Sequence, residues 1–238
     1  MFLDWGVEAL AGPAVGSLLF LAVFSLVLGG AGEWRPGITL IQFITAGIAM
    51  YNFARSAFET TAGTLIEDKL ERMIVNPLLA PLTPLEMVAA LTLAGATSGM
   101  MSGAVTLAIM AMIVDLPFTH WPIAFGFAVA GSVLFALVGL LVGLWADKWE
   151  HFSAVDTLVI LPLGMLSGAF FSLERVPESV QTVLQWNPLF HAVNGFRLGV
   201  IGAADSSAWV AAGVLLGLIA VTGAAAWRLF AVGYKIKA

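Results

Sequence analysis

Six apolar stretches, each about long enough to cross a lipid bilayer, dominate this sequence of 238 residues. A hydrocarbon core of about 30 Å needs about 20 apolar residues in a helix. Backbone groups in lipid must be satisfied within the spanning segment, which favours helices. We therefore predict an all-α polytopic membrane protein with six transmembrane helices in a single domain over residues 1–238. The predicted spans are 9–30, 38–58, 86–114, 121–146, 154–172 and 208–230.

The composition excludes most other protein classes. Only 11% of the residues are charged and 60% are hydrophobic, whereas soluble domains carry about 25% and about 45–50%. The absence of cysteine removes thiolate metal sites and thiol nucleophiles. A net charge of −5 is the wrong sign for binding nucleic acid. The expected environment is the lipid bilayer, and no nucleic-acid partner is expected.

The distribution of Lys and Arg predicts the orientation of the spans. If the N-terminus is cytoplasmic, the cytoplasmic segments hold seven of the ten basic residues and the outer segments hold three. Cytoplasmic loops of membrane proteins carry the excess of basic residues. We predict that both termini are cytoplasmic.

The sequence contains no motif for catalysis or metal binding. No lysine is preceded by glycine, so a phosphate-binding P-loop is absent. His120, His151 and His191 are scattered, without the paired spacing of zinc ligands. Arg55 and Asp156 lie near predicted span ends, where they can snorkel or cap, and this favours an energy source outside the chain over ion-coupled transport. We expect no catalytic residue and no metal ligand.

Helix-start signals mark two of the predicted spans. Thr83 and Glu86 form a capping box around Pro84 at the first helical position, which predicts the start of the third span. Ser153 and Asp156 form a weaker box that predicts the start of the fifth.

Small residues recur four positions apart within the spans, which lets helix backbones approach closely in lipid. This spacing leaves two interpretations open, a subunit interface or packing within one bundle, and the abundance of Gly in membrane helices favours packing. The series include Gly95, Gly99 and Gly103; Gly139 and Gly143; and Gly213 and Gly217.

Pro162 lies inside the fifth predicted span and is followed by Gly164. Proline removes a backbone hydrogen bond and clashes one turn back, so we predict a kink here. Irregular backbone at membrane depth is tolerated against protein or water. The kink therefore belongs either to a path through the bundle or to a static bend.

The connection after the second span is not an ordinary loop, because it combines a charged stretch with an apolar turn closed by proline. A short helix that presents apolar residues to a groove is a common docking device. The alternative is a helix lying on the bilayer surface. The predicted helix comprises Glu71, Arg72, Met73, Ile74, Val75, Asn76, Pro77 and Leu78.

Residues 172–207 predict two short helices on the outer side. The first begins at Pro177, the pair Asn187 and Pro188 breaks it, and a second helix follows over 189–200. Neither is long enough to span, so we predict two half-helices that dip into the outer leaflet.

Residues 168–178 and 186–197 resemble the signature of ABC-2 type transporter permeases, the membrane subunits of ATP-binding-cassette exporters. The pair Asn76 and Pro77 and the run Pro84 to Glu86 also match that pattern. The resemblance covers nearly the whole chain and is most specific over 164–202. It is strongest to bacterial six-span permeases encoded apart from their ATPase, including exporters of drugs and lipo-oligosaccharides.

The resemblance implies an exporter in the bacterial inner membrane, built from two copies of this chain and two ATPase subunits. ATP and Mg²⁺ then bind the ATPase, and this chain binds no cofactor. Residues 71–78 correspond to a cytoplasmic coupling helix that docks on the ATPase, and the second and fifth spans line the path. Residues 173–202 correspond to an extracellular re-entrant hairpin that forms the outer gate. Its candidate residues are Glu174, Arg175, Pro177, Asn187, Pro188 and Arg197.

One rival function belongs to another class. A membrane-embedded enzyme or assembly factor that acts without an ATPase shares the same composition and spans. The two hypotheses differ in whether an ATPase partner exists.

Overall fold

A computed structural model describes residues 12, 15–23, 26, 33–71, 82–173 and 176–235, and most of these are helical. Residues 15–23 are helical. The other elements are β1 (Glu33–Arg35), β2 (Ile38–Thr39), α1 (Leu40–Leu70), α2 (Pro84–Ala111), α3 (Trp121–Trp145), α4 (Trp149–Val155), a π-helical turn (Asp156–Ile160), α5 (Leu161–Met165), α6 (Glu178–Gln185), α7 (Pro188–Ile201) and α8 (Ala208–Val232).

Three of the described helices, α2, α3 and α8, are long and apolar enough to cross a membrane. They correspond to the third, fourth and sixth predicted spans. The predicted all-α character is modified by one short antiparallel hairpin, in which β1 pairs with β2. The capping box at the start of α2 is confirmed, since Thr83 Oγ1 accepts from Glu86 N at 3.3 Å and Glu86 Oε2 accepts from Thr83 N at 2.7 Å.

The helix α1 is much longer than the span predicted over 38–58. Its 31 residues correspond to about 45 Å at about 1.5 Å per residue, more than the hydrocarbon core of about 30 Å. A capping box between Thr39 and Gln42 fixes its start. The helix therefore continues past the predicted end of the span as an unbroken rod to Leu70.

Glycines bring α2 and α3 close to α1. A Cβ atom added at Gly99 would lie 2.6 Å from the Phe53 carbonyl oxygen, and one at Gly139 would lie 2.5 Å from the Phe58 carbonyl oxygen. These two series pack within one bundle. Gly213 is different, because a Cβ there meets nothing within 4 Å.

The helices α3 and α8 occupy opposite extremes of burial. In the most apolar 18-residue stretch, 67% of the α3 residues are buried but only 11% of the α8 residues are. Apolar surface this extensive needs lipid or another protein to cover it. The helix α3 is therefore the centre of the bundle and α8 its periphery.

The connections gather at two ends of the bundle. At one end, Arg35 Nη1 donates to Ala204 O at 3.3 Å and Gln42 Nε2 donates to Asp115 O at 2.5 Å. We call this the β-hairpin end. The other, the Lys69 end, holds the last residues of α1, α3 and α8. This grouping agrees with the predicted division of the loops between two membrane faces.

The segment predicted as the fifth span, 154–172, is not one regular helix. It consists of α4, the π-helical turn and α5, and at Leu166 the chain leaves the helix. Pro162 lacks an N–H and crowds the preceding turn, and the adjacent turn widens so that Leu161 N donates to Asp156 O. Gly168 then takes a left-handed conformation with φ of 70°, which turns the chain away. The kink predicted at Pro162 thus coincides with a π-helical turn and an early helix end, and the predicted C-terminal boundary at residue 172 is wrong because the helix ends at Met165.

Candidate functional site

A cavity of about 350 Å³ lies between three helical segments. They are the first helix, which includes residues 15–23, the long helix α1 and the short helix α5. Its lining is mainly apolar, with a few polar side chains, as is usual for sites that take small molecules. The lining residues are Gly12, Gly16, Ser17, Phe20, Ile48, Tyr51, Asn52, Arg55, Ser56, Glu59, Leu161, Gly164, Met165 and Phe170.

One face of α1 forms the polar wall of this cavity. Its lining residues recur at helical spacing from Ile48 to Glu59, so they follow one stripe of about 16 Å along the axis. Asn52 Nδ2 donates to Ser17 Oγ on the first helix. Polar residues on this stripe lower the hydropathy of α1, which explains why α1 is not among the candidate spans.

Arg55 lies at the centre of the polar stripe and has three partners. Its Nε donates to Glu59 Oε1 at 2.6 Å, its Nη1 to Tyr51 Oη at 3.1 Å, and its Nη2 to Asp156 Oδ2 at 3.2 Å. Asp156 belongs to the π-helical turn, so this ion pair joins α1 to the irregular segment. The other oxygen of Asp156, Oδ1, is buried and has no hydrogen-bond partner among the described residues.

The prediction that Arg55 and Asp156 snorkel or cap separately is wrong. The two residues pair across 101 positions of sequence. The weak capping box predicted from Ser153 to Asp156 is also absent, because α4 begins earlier, at Trp149, and its start has no side-chain cap. The missed signal was the stripe itself: Tyr51, Arg55 and Glu59 share one helix face.

Gly164, one of the two predicted kink residues, lines this cavity, whereas Pro162 does not. A Cβ atom at Gly164 would lie 2.3 Å from the Tyr51 ring, so only glycine lets α5 approach α1 so closely.

Asn187 holds the C-terminal end of α5, since its Nδ2 donates to Leu163 O at 2.8 Å and to Leu166 O at 2.9 Å. These are carbonyls that the helix leaves unpaired where it ends.

The predicted outer-gate residues fall at the boundaries of α6 and α7. Pro177 precedes the first residue of α6, and Pro188 is the first residue of α7. Asn187 caps α7, since its Oδ1 accepts from Leu189 N at 2.9 Å. Glu174 and Arg175 lie outside the described residues.

Arg197 on α7 is completely buried, with 0% of its surface exposed, so snorkelling to lipid headgroups does not describe it. Its Nη2 donates to Gly168 O at 2.9 Å, and its Nη1 lies 3.7 Å from Asp205 Oδ2. Its guanidinium carbon lies 3.5 Å above the centre of the Phe43 ring. Arg197 thus ties α7 to α1 and to the turn that follows α5.

Asp205 is the shared anion of this network. Its Oδ1 accepts from Ser172 Oγ at 3.1 Å and lies 3.8 Å from Arg35 Nη2, and its Oδ2 accepts from Leu173 N at 3.3 Å. Asn194 Oδ1 accepts from the backbone N of Asp205 at 2.6 Å, which orders the loop. The sequence assigned Arg197 to the outer gate but Asp205 only to a possible cap of the sixth span, and the start of α8 has no side-chain cap.

The Lys69 end carries a second polar cluster. Lys69 Nζ donates to Leu144 O at 2.9 Å and to Ala146 O at 2.6 Å. Lys235 Nζ donates to Asp147 Oδ2 at 2.6 Å, and this hydrogen bond holds the pKa of Asp147 below its usual range. Burial lowers the pKa of Lys69, an effect that the charge of Asp147 opposes.

The predicted coupling helix begins beside this cluster. Glu71 caps the C-terminal end of α1 and is exposed. The remaining residues of the prediction, Arg72, Met73, Ile74, Val75, Asn76, Pro77 and Leu78, lie outside the described residues.

Comparison with known proteins identifies the family. The sequence model of the ABC-2 family transporter proteins matches residues 37–228, which include α1, the cavity face, the irregular segment and α7. The chain belongs to the ABC-2 transporter family. The resemblance noted in the sequence is thereby confirmed.

Curated relatives of this ABC-2 protein match it along most of their length. The inner membrane transport permease YadH of Escherichia coli K12 is 28% identical over 236 residues, covering 99% of this chain and 92% of YadH. Nodulation protein J of Rhizobium leguminosarum bv. viciae is 27% identical over 221 residues, covering 90% and 84%. Nodulation protein J of Rhizobium meliloti is 27% identical over 209 residues, covering 85% and 79%. The chain is therefore a membrane transporter subunit.

Proposed function

We propose that this chain is the transmembrane permease subunit of an ATP-driven exporter in a bacterial inner membrane. Two copies form the substrate path, and two copies of a separate ABC ATPase bind ATP and Mg²⁺ and supply the energy. The chain crosses the membrane six times with both termini in the cytoplasm. The observation that carries the proposal is the cavity between α1 and α5 in a chain of the ABC-2 family.

The position of the cavity supports its role as part of the path. It lies between the helices that correspond to the second and fifth spans, and one wall is an irregular segment with a π-helical turn. Such turns occur frequently at functional sites. The Arg55–Asp156 ion pair and the Gly164–Tyr51 contact join the two walls, so a shift of either wall changes the cavity.

The Lys69 end supports a mechanical coupling. The helix α1 extends without a break from the cavity to Leu70, directly before the predicted coupling helix. Lys69 then fastens the end of α1 to the end of α3, the most buried of the three candidate spans. A force applied to residues 71–78 therefore reaches the Arg55 cluster through one rigid helix.

The two short helices α6 and α7 are the proposed outer gate. At about 12 Å and 21 Å long, neither crosses the membrane. Twelve of the 14 residues of α7 are buried, and α7 packs against α1, α3 and α8. We propose that they form an extracellular re-entrant hairpin, held to the end of α5 by Asn187 and Arg197.

The coupling proposal is tested by Met73→Asp and Ile74→Asp, with Met112→Asp as the control. Apolar anchors of a docking helix each contribute about 1 kcal/mol or more, so each variant should lose co-purification with the ATPase or uncouple ATP hydrolysis from transport. Met112 is 87% exposed at the β-hairpin end, and its substitution should leave the complex intact.

Full ATPase association and full transport in both variants would show that docking occurs elsewhere. A wild-type chain that associates with no ABC ATPase of its own genome would support the enzyme or assembly-factor alternative. Membrane insertion of all three variants is checked first by extraction from purified membranes.

A further inference from the structure

The charges around the cavity indicate which molecules it takes. Resting on the proposed function, we propose that the cavity binds an amphiphile with a cationic head group and an apolar body. The head group lies at the Glu59–Arg55–Asp156 cluster, and the body lies against the aromatic and aliphatic wall.

The cluster carries more negative than positive charge. Arg55 contributes one positive charge, and its two partners Glu59 and Asp156 contribute two negative charges when ionised. Among the described residues that line the cavity, Arg55 and Glu59 are the charged ones, and Asp156 lies outside this lining, 3.2 Å from Arg55. The cluster as a whole therefore places a net negative charge beside the cavity, and in a low-dielectric environment this charge attracts a cation and repels an anion.

All three nitrogens of the Arg55 guanidinium already donate hydrogen bonds within the protein. Its Nε, Nη1 and Nη2 each donate to a protein oxygen, so it does not offer the two parallel donors with which arginine usually binds a carboxylate or phosphate. The carboxylates have spare capacity, because each ionised carboxylate offers about four acceptor positions. Among the described residues Glu59 accepts one hydrogen bond, at Oε1 from Arg55 Nε, whereas Oδ1 of Asp156, which has no partner there, is buried outside the cavity lining. The unused capacity is thus for hydrogen-bond donors, which a protonated amine supplies.

The remaining wall suits an apolar body. Phe20 and Phe170 approach each other with ring centres 5.8 Å apart, and Leu161 and Met165 line the same space. Aromatic faces also attract cations. The volume of about 350 Å³ lies at the small end of the range for small-molecule sites, so the cavity holds one compact apolar body rather than a polymer.

The test measures binding of three probes to the full chain in phosphatidylcholine nanodiscs without ATPase. The probes share one fluorescent alkyl chain and carry a primary ammonium, a hydroxyl or a sulfonate head, and protein-free nanodiscs correct for partition into lipid. We expect the ammonium probe to bind at least about tenfold more tightly than the sulfonate probe. Glu59→Gln and Asp156→Asn should each remove most of this preference. Glu178→Gln, at an exposed site on α6, should not change it.

Equal or tighter binding of the sulfonate probe would overturn the proposal. An unchanged preference in both Glu59→Gln and Asp156→Asn would also overturn it and leave the cluster a structural ion pair. The comparison of three probes on the unaltered chain gives an answer even if a variant fails to fold. Because the assay contains no ATPase, cation-selective binding by a chain that associates with no ABC ATPase of its own genome would refute the proposed function and leave this inference standing.

Discussion

Replacing Arg197 with methionine tests whether the β-hairpin end depends on a buried charge. Methionine keeps much of the length and apolar volume of arginine but removes the charge and its donors. Three contacts are lost: the hydrogen bond to Gly168 O, the pairing with Asp205 and the contact of the cation with the Phe43 ring. The Gly168 carbonyl and the Asp205 carboxylate are left behind with fewer partners.

The expected loss is about 3 kcal/mol of unfolding free energy. Removing one partner of a buried ion pair typically costs about 3–5 kcal/mol. The lower part of that range applies here, because Asp205 keeps its hydrogen bonds from Ser172 Oγ and Leu173 N and keeps Arg35 at 3.8 Å. The Nε of Arg197 is buried and has no hydrogen-bond partner among the described residues. Its removal therefore recovers part of the free energy that burying this group costs, and the net loss of stability is smaller.

The measurement is reversible unfolding of the full chain by dodecyl sulfate titration in mixed micelles. Arg228→Met is the matched control, because Arg228 is exposed on α8 and its replacement should change stability by about 0.5 kcal/mol or less. Asp205→Asn and the double variant complete a cycle, in which the two losses should be clearly non-additive. A loss below about 1 kcal/mol for Arg197→Met, or strict additivity, would refute the reasoning. Arg197→Met should also reduce transport while leaving the ATPase complex intact.

Three further predictions concern packing, charge and orientation. Gly99→Leu should strongly destabilise the bundle, because a Cβ there lies 2.6 Å from α1 atoms, whereas Gly213→Leu should be tolerated in open space; thermal unfolding distinguishes them. The hydrogen bond from Lys235 lowers the pKa of Asp147. The ion pair between these two residues therefore stabilises the fold above the ordinary Asp pKa, and this stabilisation is lost as the pH falls through the lowered pKa. The thermal midpoint difference between wild type and Asp147→Asn, small for an exposed pair, should therefore vanish in acid but persist at neutral pH. Cysteines at the exposed positions Ser179 and Lys148 should label from opposite sides, with Ser179→Cys reacting in intact cells; equal labelling would contradict the predicted orientation.

Periodicity and helix-breaking residues predicted much of the helical architecture, because they depend on local chemistry. The start of α2 and the irregularity near Pro162 follow from neighbouring residues alone. The ion pair between Arg55 and Asp156 could not be predicted in this way, since it depends on two distant segments meeting across the cavity. The same applies to Arg197, whose burial is set by the helices packed around α7. At a membrane boundary a carboxylate or a guanidinium can cap a helix, extend to the lipid headgroups or form an ion pair. Tertiary packing determines which of these occurs.

The π-helical turn at Asp156–Ile160 has a geometric consequence for the cavity wall. Such a turn fits one surplus residue into a helix, and each residue of an α-helix advances the face by about 100°. Every side chain after Ile160 therefore points about 100° away from the direction it would have in an uninterrupted α-helix. Leu161, Gly164 and Met165 face the cavity in this register. If the surplus residue moves along the chain, the side chains that it passes rotate by the same angle, so a different set faces the cavity and the segment neither slides nor breaks.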